Sequence, residues 1–237
     1  MENVREEVID RITGRVKIVR EEINKACDKC GRSPEEITLV AVTKTVDQER
    51  IRAAIVAGLR VFGENYIQEA REKIPSIAEP VEWHFIGHLQ RNKAKYAVRL
   101  FDVVETVDNV KLAGELQKRA EAIKRIQPVL VQVNVSGEET KSGITPEELP
   151  DLLKFIGRSS SLEFRGLMTM PPYFADPELA RPYFRKLREL RDKMAERFPS
   201  LIFKELSMGM SGDFAVAIEE GATIVRIGTA IFGERVS

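Results

Sequence analysis

The sequence predicts an α/β chain closed into a single (β/α)8 barrel of the TIM type, with one extra N-terminal helix. Short β-branched runs alternate with longer amphipathic stretches eight times within 237 residues. That count and that length are those of a barrel in which a helix follows each parallel strand. An open doubly wound sheet is the competing architecture. Against it, no G-x-G-x-x-G follows any strand, and no linker or composition shift marks a second domain. Residues 1–237 are therefore read as one domain.

The elements follow from period and punctuation. Glu6 to Asp28 reads as the extra helix, and Ile37 to Thr43 (ITLVAVT) as the first strand. A helix from Asp47 to Ala57 ends at Gly58, and Arg60 to Phe62 is a short second strand. Next come a helix from Tyr66 to Ile77, a strand from Glu82 to Ile86 (EWHFI), and a helix from Arg91 to Leu100. Asp102 to Glu105 is the fourth strand, with a helix from Val110 to Ile126 behind it. Val129 to Val135 (VLVQVNV) has the clearest strand composition. Its helix spans Pro146 to Gly157, with Thr145 as cap and proline at the first helical position. Glu163 to Met168 and Ile202 to Leu206 are strands six and seven, separated by a long charged helix from Pro177 to Phe198. A helix from Gly212 to Glu220, a strand from Thr223 to Ile227 and a short helix from Thr229 to Phe232 complete the pattern.

Composition narrows the function. Thirty-seven basic residues balance thirty-seven acidic ones, so no strong field draws nucleic acid or anionic lipid. The charged first ten residues lack the apolar stretch of a signal peptide, and no apolar run is long enough to span a bilayer. Two cysteines in a chain of this size point to a reducing compartment, and the expected location is the cytoplasm. Cys27, Cys30, His84 and His88 superficially resemble zinc ligands, but the gap between the pairs is far too long for a compact module. No metal is expected.

A barrel places its chemistry just past the strands, with phosphate groups often held after strands seven and eight. Lys44 ends strand one; it is either a solvated lysine or a reactive amine, able to attack an aldehyde when desolvated. Asn65, after strand two, offers an amide to a ligand or caps the following helix, and capping is the commoner use. Glu64 beside it has no assignable task. His84 is one of only two histidines and alternates with Phe85, as a hydrogen-bonded interior residue does. Asn134, Glu138, Lys141 and Gly143 follow strand five as site mouth or as ordinary loop, and Met168 and Met170 pack on a flat ring or close the core. Ser211 stands just before a helix, able to bind phosphate or to cap. Arg226, Gly228 and Thr229 follow strand eight, where Gly228 permits close approach and Thr229 adds an amide and a hydroxyl. Two helix starts at this end of a barrel favour a phosphate site.

These segments resemble a known family. AVTKT around Lys44, FGENYIQE from Phe62, WHFIGHLQRNK from Trp83 and NVSGEETKSG from Asn134 are similar to the pyridoxal phosphate homeostasis proteins. So are GLMTM from Gly166, MGMSGDFAVAI from Met208 and VRIGTAIFG from Val225. They cover nearly the whole chain in order. The family shares the barrel of the alanine racemase N-terminal domain, and the resemblance implies pyridoxal 5′-phosphate held as an internal aldimine on Lys44. It implies Ser211, Gly228 and Thr229 as the phosphate cradle, Arg226 at the pyridine nitrogen and Asn65 near the ring, with His84, Met168 and Met170 also close. The implied role is cofactor homeostasis, meaning storage, protection and supply to apo-enzymes without a dedicated reaction, by a monomer. An amino-acid racemase is the second reading. Two-domain racemases of this fold take a tyrosine from a C-terminal domain, and here the sequence ends at Ser237, with none of Tyr66, Tyr96, Tyr173 or Tyr183 in such a motif. An enzyme acting on another phosphorylated metabolite is the third; it would keep the cradle without using Lys44.

Overall fold

The computed structural model describes residues 4–138 and 141–234. The ends of the expected 1–237 span, and Glu139 and Thr140 of the NVSGEETKSG motif, lie outside them. Eight strands pair in chain order, all parallel, and the eighth returns to the first. They are β1 (Thr38–Val42), β2 (Val61–Glu64), β3 (Glu82–Phe85), β4 (Val103–Val107), β5 (Gln127–Gln132), β6 (Leu162–Met168), β7 (Glu205–Ser207) and β8 (Ile224–Ile227). The expected barrel is present.

Nine helices are described around it: α1 (Glu6–Cys30), α2 (Gln48–Val56), α3 (Ile67–Lys73), α4 (Ala94–Leu100), α5 (Val110–Ala122), α6 (Leu149–Gly157), α7 (Arg181–Arg197), α8 (Phe214–Glu219) and α9 (Thr229–Phe232). The extra helix α1 buries Val8, Ile12, Val16, Val19, Ile23 and Ala26, a stripe at three- and four-residue spacing. That stripe packs against α2, α8 and α9 and so covers the seam where the barrel closes. Gly31, at φ 68°, ends it in the left-handed conformation. Cys27 and Cys30 sit on this outer helix, whereas His84 is inside the barrel. Among the described residues, no helix is long and apolar enough to cross a membrane.

Boundaries differ from the sequence reading where pairing, not composition, decides them. Strand β7 begins at Glu205, where it first meets Gly166 of β6, and Ile202 is left exposed. Helix α6 starts at Leu149, not Pro146; Thr145 instead caps the preceding turn, accepting from the Glu148 amide at 3.3 Å. Helix α5 stops at Ala122, just before Lys124 takes a positive φ of 55°. Strand β5 ends at Gln132, although Val133 still donates to Met168.

Side chains alternate across each strand, so every second residue faces the barrel axis. Val40, Val103, Leu130, Met168 and Ile224 form the apolar part of that interior. Two residues beyond Val103 and Ile224 the filling turns polar, with Glu105 and Arg226. His84 sends Nδ1 to Glu105 at 2.6 Å and Nε2 to Glu82 at 3.1 Å. The other Glu105 oxygen accepts from Ser207 Oγ at 2.5 Å. Ser207 accepts in turn from Arg226 Nη1 at 2.5 Å, and Arg226 Nη2 donates to the Thr169 carbonyl at 2.8 Å. His84, Glu105, Ser207, Thr169 and Arg226 are all buried.

Burial works against the charged form of His84, but the hydrogen bonds and charges of Glu105 and Glu82 overcome it and push its pKa up to about 9. Burial likewise raises the Glu105 carboxyl, and His84, Arg226 and Ser207 together bring it below the ordinary carboxylate range. A histidine whose pKa is higher folded than unfolded contributes stability that is complete below about 6.5 and lost as pH rises through about 9. The denaturant midpoint should therefore fall as pH is raised across that window. His84→Gln, measured in the same titration, should lack the decline.

Candidate functional site

At the C-terminal mouth, β1 runs into a turn in which Val46 N donates to the Thr43 carbonyl at 2.9 Å. Lys44 is its second residue. Thr45, its third, has φ 59°, a strained choice for a β-branched side chain. The strain is held by contacts from outside the turn. Thr45 N donates to Glu69 at 2.9 Å, and Lys73 Nζ donates to the Thr43 carbonyl at 2.7 Å. Lys73 also bonds Glu64 at 2.9 Å and Glu69 at 2.8 Å, while Thr43 Oγ1 donates to Glu64 at 2.7 Å. Burial raises the Glu64 pKa, opposed by the Lys73 ammonium and the Thr43 hydroxyl. The end of β2 and one face of α3 thus grip the exit of β1. Lys44 Nζ lies over the Tyr66 ring, 4.8 Å from its centroid.

Asn65 does not cap α3. Tyr66 occupies the N-cap position, and the Asn65 side-chain oxygen is buried without a hydrogen-bond partner. Tertiary packing explains the departure from propensity. Gly87, leaving β3, lies so close that a Cβ there would stand 2.1 Å from the Asn65 carbonyl oxygen. Asn65, Tyr66, Gly87, His88 and Lys93 line one cleft at this edge of the mouth. After β5 the chain folds on itself: Asn134 donates to the Glu138 carbonyl at 2.9 Å and accepts from Ser136 and Gly137. In that closed loop Asn134 serves as a local organiser.

The opposite lip is built from the exits of β7 and β8. Gly209 has φ 94°, and a Cβ there would stand 2.9 Å from Phe214 Cα, so only glycine allows the turn. Backbone pairing with β8 persists through it, with Met208 N donating to Ile224 and Arg226 N to Gly209. Asp213 accepts from the Met210 amide at 2.7 Å, and burial raises its pKa against that bond. Ser211 is not the cap of α8, which begins at Phe214. Its Oγ instead accepts from Ala230 N, at the start of α9, at 3.4 Å. The loop after β7 and the helix after β8 therefore meet at Ser211.

Lys44, Gly228 and Thr229 line one recess together with Val42 and Arg50. Ser211 adjoins it through α9, and Asn65 stands on the other side of Lys44, next to Tyr66. Arg226 lies below the mouth on the inward face of β8, with two guanidinium nitrogens engaged. Met168 is fully buried in the interior and Met170 packs beside it. His84 is deeper than a residue aimed at the mouth, and carboxylates take both its ring nitrogens. Sequence reasoning missed Glu105, Ser207, Glu69 and Lys73. A carboxylate of the same inward parity as Val103 was a readable signal for Glu105. Nothing distinguished Lys73 from any other lysine of a charged helix.

The sequence profile described as "Alanine racemase, N-terminal domain" matches residues 19–236. The Pyridoxal phosphate homeostasis protein of Aquifex aeolicus is 49% identical over 222 residues, 93% of this chain and 97% of that protein. Its Escherichia coli K12 counterpart is 44% identical over 226 residues, with 92% and 94% covered. Among solved structures, PipY of Synechococcus elongatus with PLP bound superposes with a TM-score of 0.83 at 32% identity, covering 94% of this chain and all of that one. An alanine racemase from Corynebacterium glutamicum superposes at 0.72 with 16% identity, covering 96% of this chain and 61% of that one; the likeness is one of fold. The chain belongs to the pyridoxal phosphate homeostasis protein family.

Proposed function

We propose that this chain binds pyridoxal 5′-phosphate covalently at Lys44 and serves cofactor homeostasis, storing and shielding the reactive aldehyde and supplying it to apo-enzymes, without a dedicated reaction of its own. The observation that carries the reading is the recess shared by Lys44, Gly228 and Thr229, in a chain 32% identical to a protein solved with PLP bound. The residues present fit the group. Lys44 is a primary amine at the mouth; Ser211 and Thr229 bring hydroxyls to the first turn of α9, where the Thr229 amide has no intrahelical acceptor and the Ala230 amide donates to Ser211. The orphaned Asn65 oxygen is an acceptor in want of a donor.

When bound, the cofactor supplies an electrophilic aldehyde and an electron-withdrawing ring. Everything else is done by the chain. The clamp of Glu64, Glu69 and Lys73 holds the Lys44 backbone fixed, so that only the side chain has to swing from Tyr66. Ser211, Gly228 and Thr229 would hold the phosphate, and Asn65 would meet the ring. Arg226 would be the partner of the ring nitrogen. An arginine only donates, so it holds a pyridine nitrogen without giving it a proton and leaves the ring a weak electron sink. That choice suits retention better than carbanion chemistry. Met168 closes the floor, and His84 acts at one remove, through Glu105.

Borohydride reduction of the loaded protein should fix the label on Lys44, and Lys44→Ala should carry none; label on another lysine would overturn the assignment. Ser211→Ala should lose the cofactor roughly tenfold more readily in dialysis, the worth of one hydrogen bond to a charged group, while keeping its fold. Unchanged retention would leave that hydroxyl with no role beyond its contact to α9. Lys73→Met strands the fully buried Glu64 carboxylate and should cost about 3 kcal/mol in urea unfolding. An unaltered midpoint would show that the clamp does not hold the turn.

A further inference from the structure

Barrel interiors of this kind are filled by bulky apolar side chains, yet four strands of this one contribute a polar relay instead. His84 comes from β3, Glu105 from β4, Ser207 from β7 and Arg226 from β8. Groups of this kind are costly in an interior unless each is met by a partner, and here each is met. Arginine has no acceptor, so the Ser207 hydroxyl must receive from Arg226 Nη1 and give its own proton to Glu105. Its rotor is thereby locked. The guanidinium is pinned at two points, by Ser207 and by the Thr169 carbonyl, which sets the plane in which its remaining N–H groups lie. Glu105 is also the nearest carboxylate to Arg226, at 4.0 Å, and shares its charge with the His84 imidazolium on its other oxygen. Having no exposed surface, it cannot meet a ligand itself.

We infer that Glu105 is a positioning residue of the cofactor site, which through the Ser207 hydroxyl fixes the direction in which Arg226 presents its free donors to the ligand ring. The inference rests on the cofactor reading above. Glu105→Gln keeps the side-chain volume but leaves His84 and Arg226 facing a neutral amide. Ser207→Ala keeps every charge and removes only the link.

The test uses two probes on the full chain, 4′-deoxypyridoxine 5′-phosphate, which has no aldehyde for Lys44 to capture, and inorganic phosphate. Glu105→Gln should weaken the ring-bearing probe about tenfold and Ser207→Ala severalfold. Phosphate affinity should stay within about twofold in both variants, and borohydride should still fix PLP on Lys44. The ultraviolet band of the bound probe, which reports the surroundings of the ring nitrogen, should shift in Glu105→Gln. Ring-probe affinity unchanged in both variants, or both probes weakened equally, overturns the positioning role. If Glu105→Gln does not fold, Ser207→Ala decides alone by the same split. Failure of the unaltered chain to bind the ring probe or to capture PLP on Lys44 would instead sink the cofactor reading, and this inference with it.

Discussion

A carboxylate taken wholly out of water has to be met by donors on both oxygens, and by positive charge close at hand. Glu105 meets that condition with an imidazolium on one side and, through a serine hydroxyl, a guanidinium on the other. The condition binds four strands at once. It keeps His84 protonated, holds Ser207 in one rotamer and determines where Arg226 points. Apolar packing could have filled the same space at lower electrostatic cost. What it could not do is fix the orientation of an arginine just beneath the mouth.

The mouth itself is organised by a second, outer set of charges. Glu64, Glu69 and Lys73 converge on the turn that carries Lys44 and hold Thr45 in a conformation its side chain disfavours. Strain of this sort persists only where the surroundings over-determine it. The inner relay thus holds Arg226, and the outer clamp holds the turn of Lys44, from rigid wall rather than loose loop.

Much of this was legible in the chain. Period and punctuation placed eight strands, and barrel topology then turned position along the sequence into location in space: the residues after β1 and β8, Lys44, Gly228 and Thr229, do meet. The roles proposed for Asn65 and Arg226 came from motif resemblance rather than from spacing. Illegible features were those set by contacts distant in sequence. Glu105 and Ser207 are 102 residues apart, and no local pattern announces their bond. Asn65 reads as a cap by propensity, but the close approach of Gly87 gives its backbone another path. Strand β7 reads early because the apolar pair Ile202 and Phe203 marks an extended segment without saying where its neighbour begins.

The turn at Gly209 joins two duties in one stretch of backbone. Residues 208 and 209 still bond to β8 while they bend toward Ser211, so the segment that finishes the wall also carries the serine of the lip. The seam between the last two strands and the Ser211 lip are thus mechanically one part. Any group bound at that lip would therefore also brace the hoop of strands along the same line.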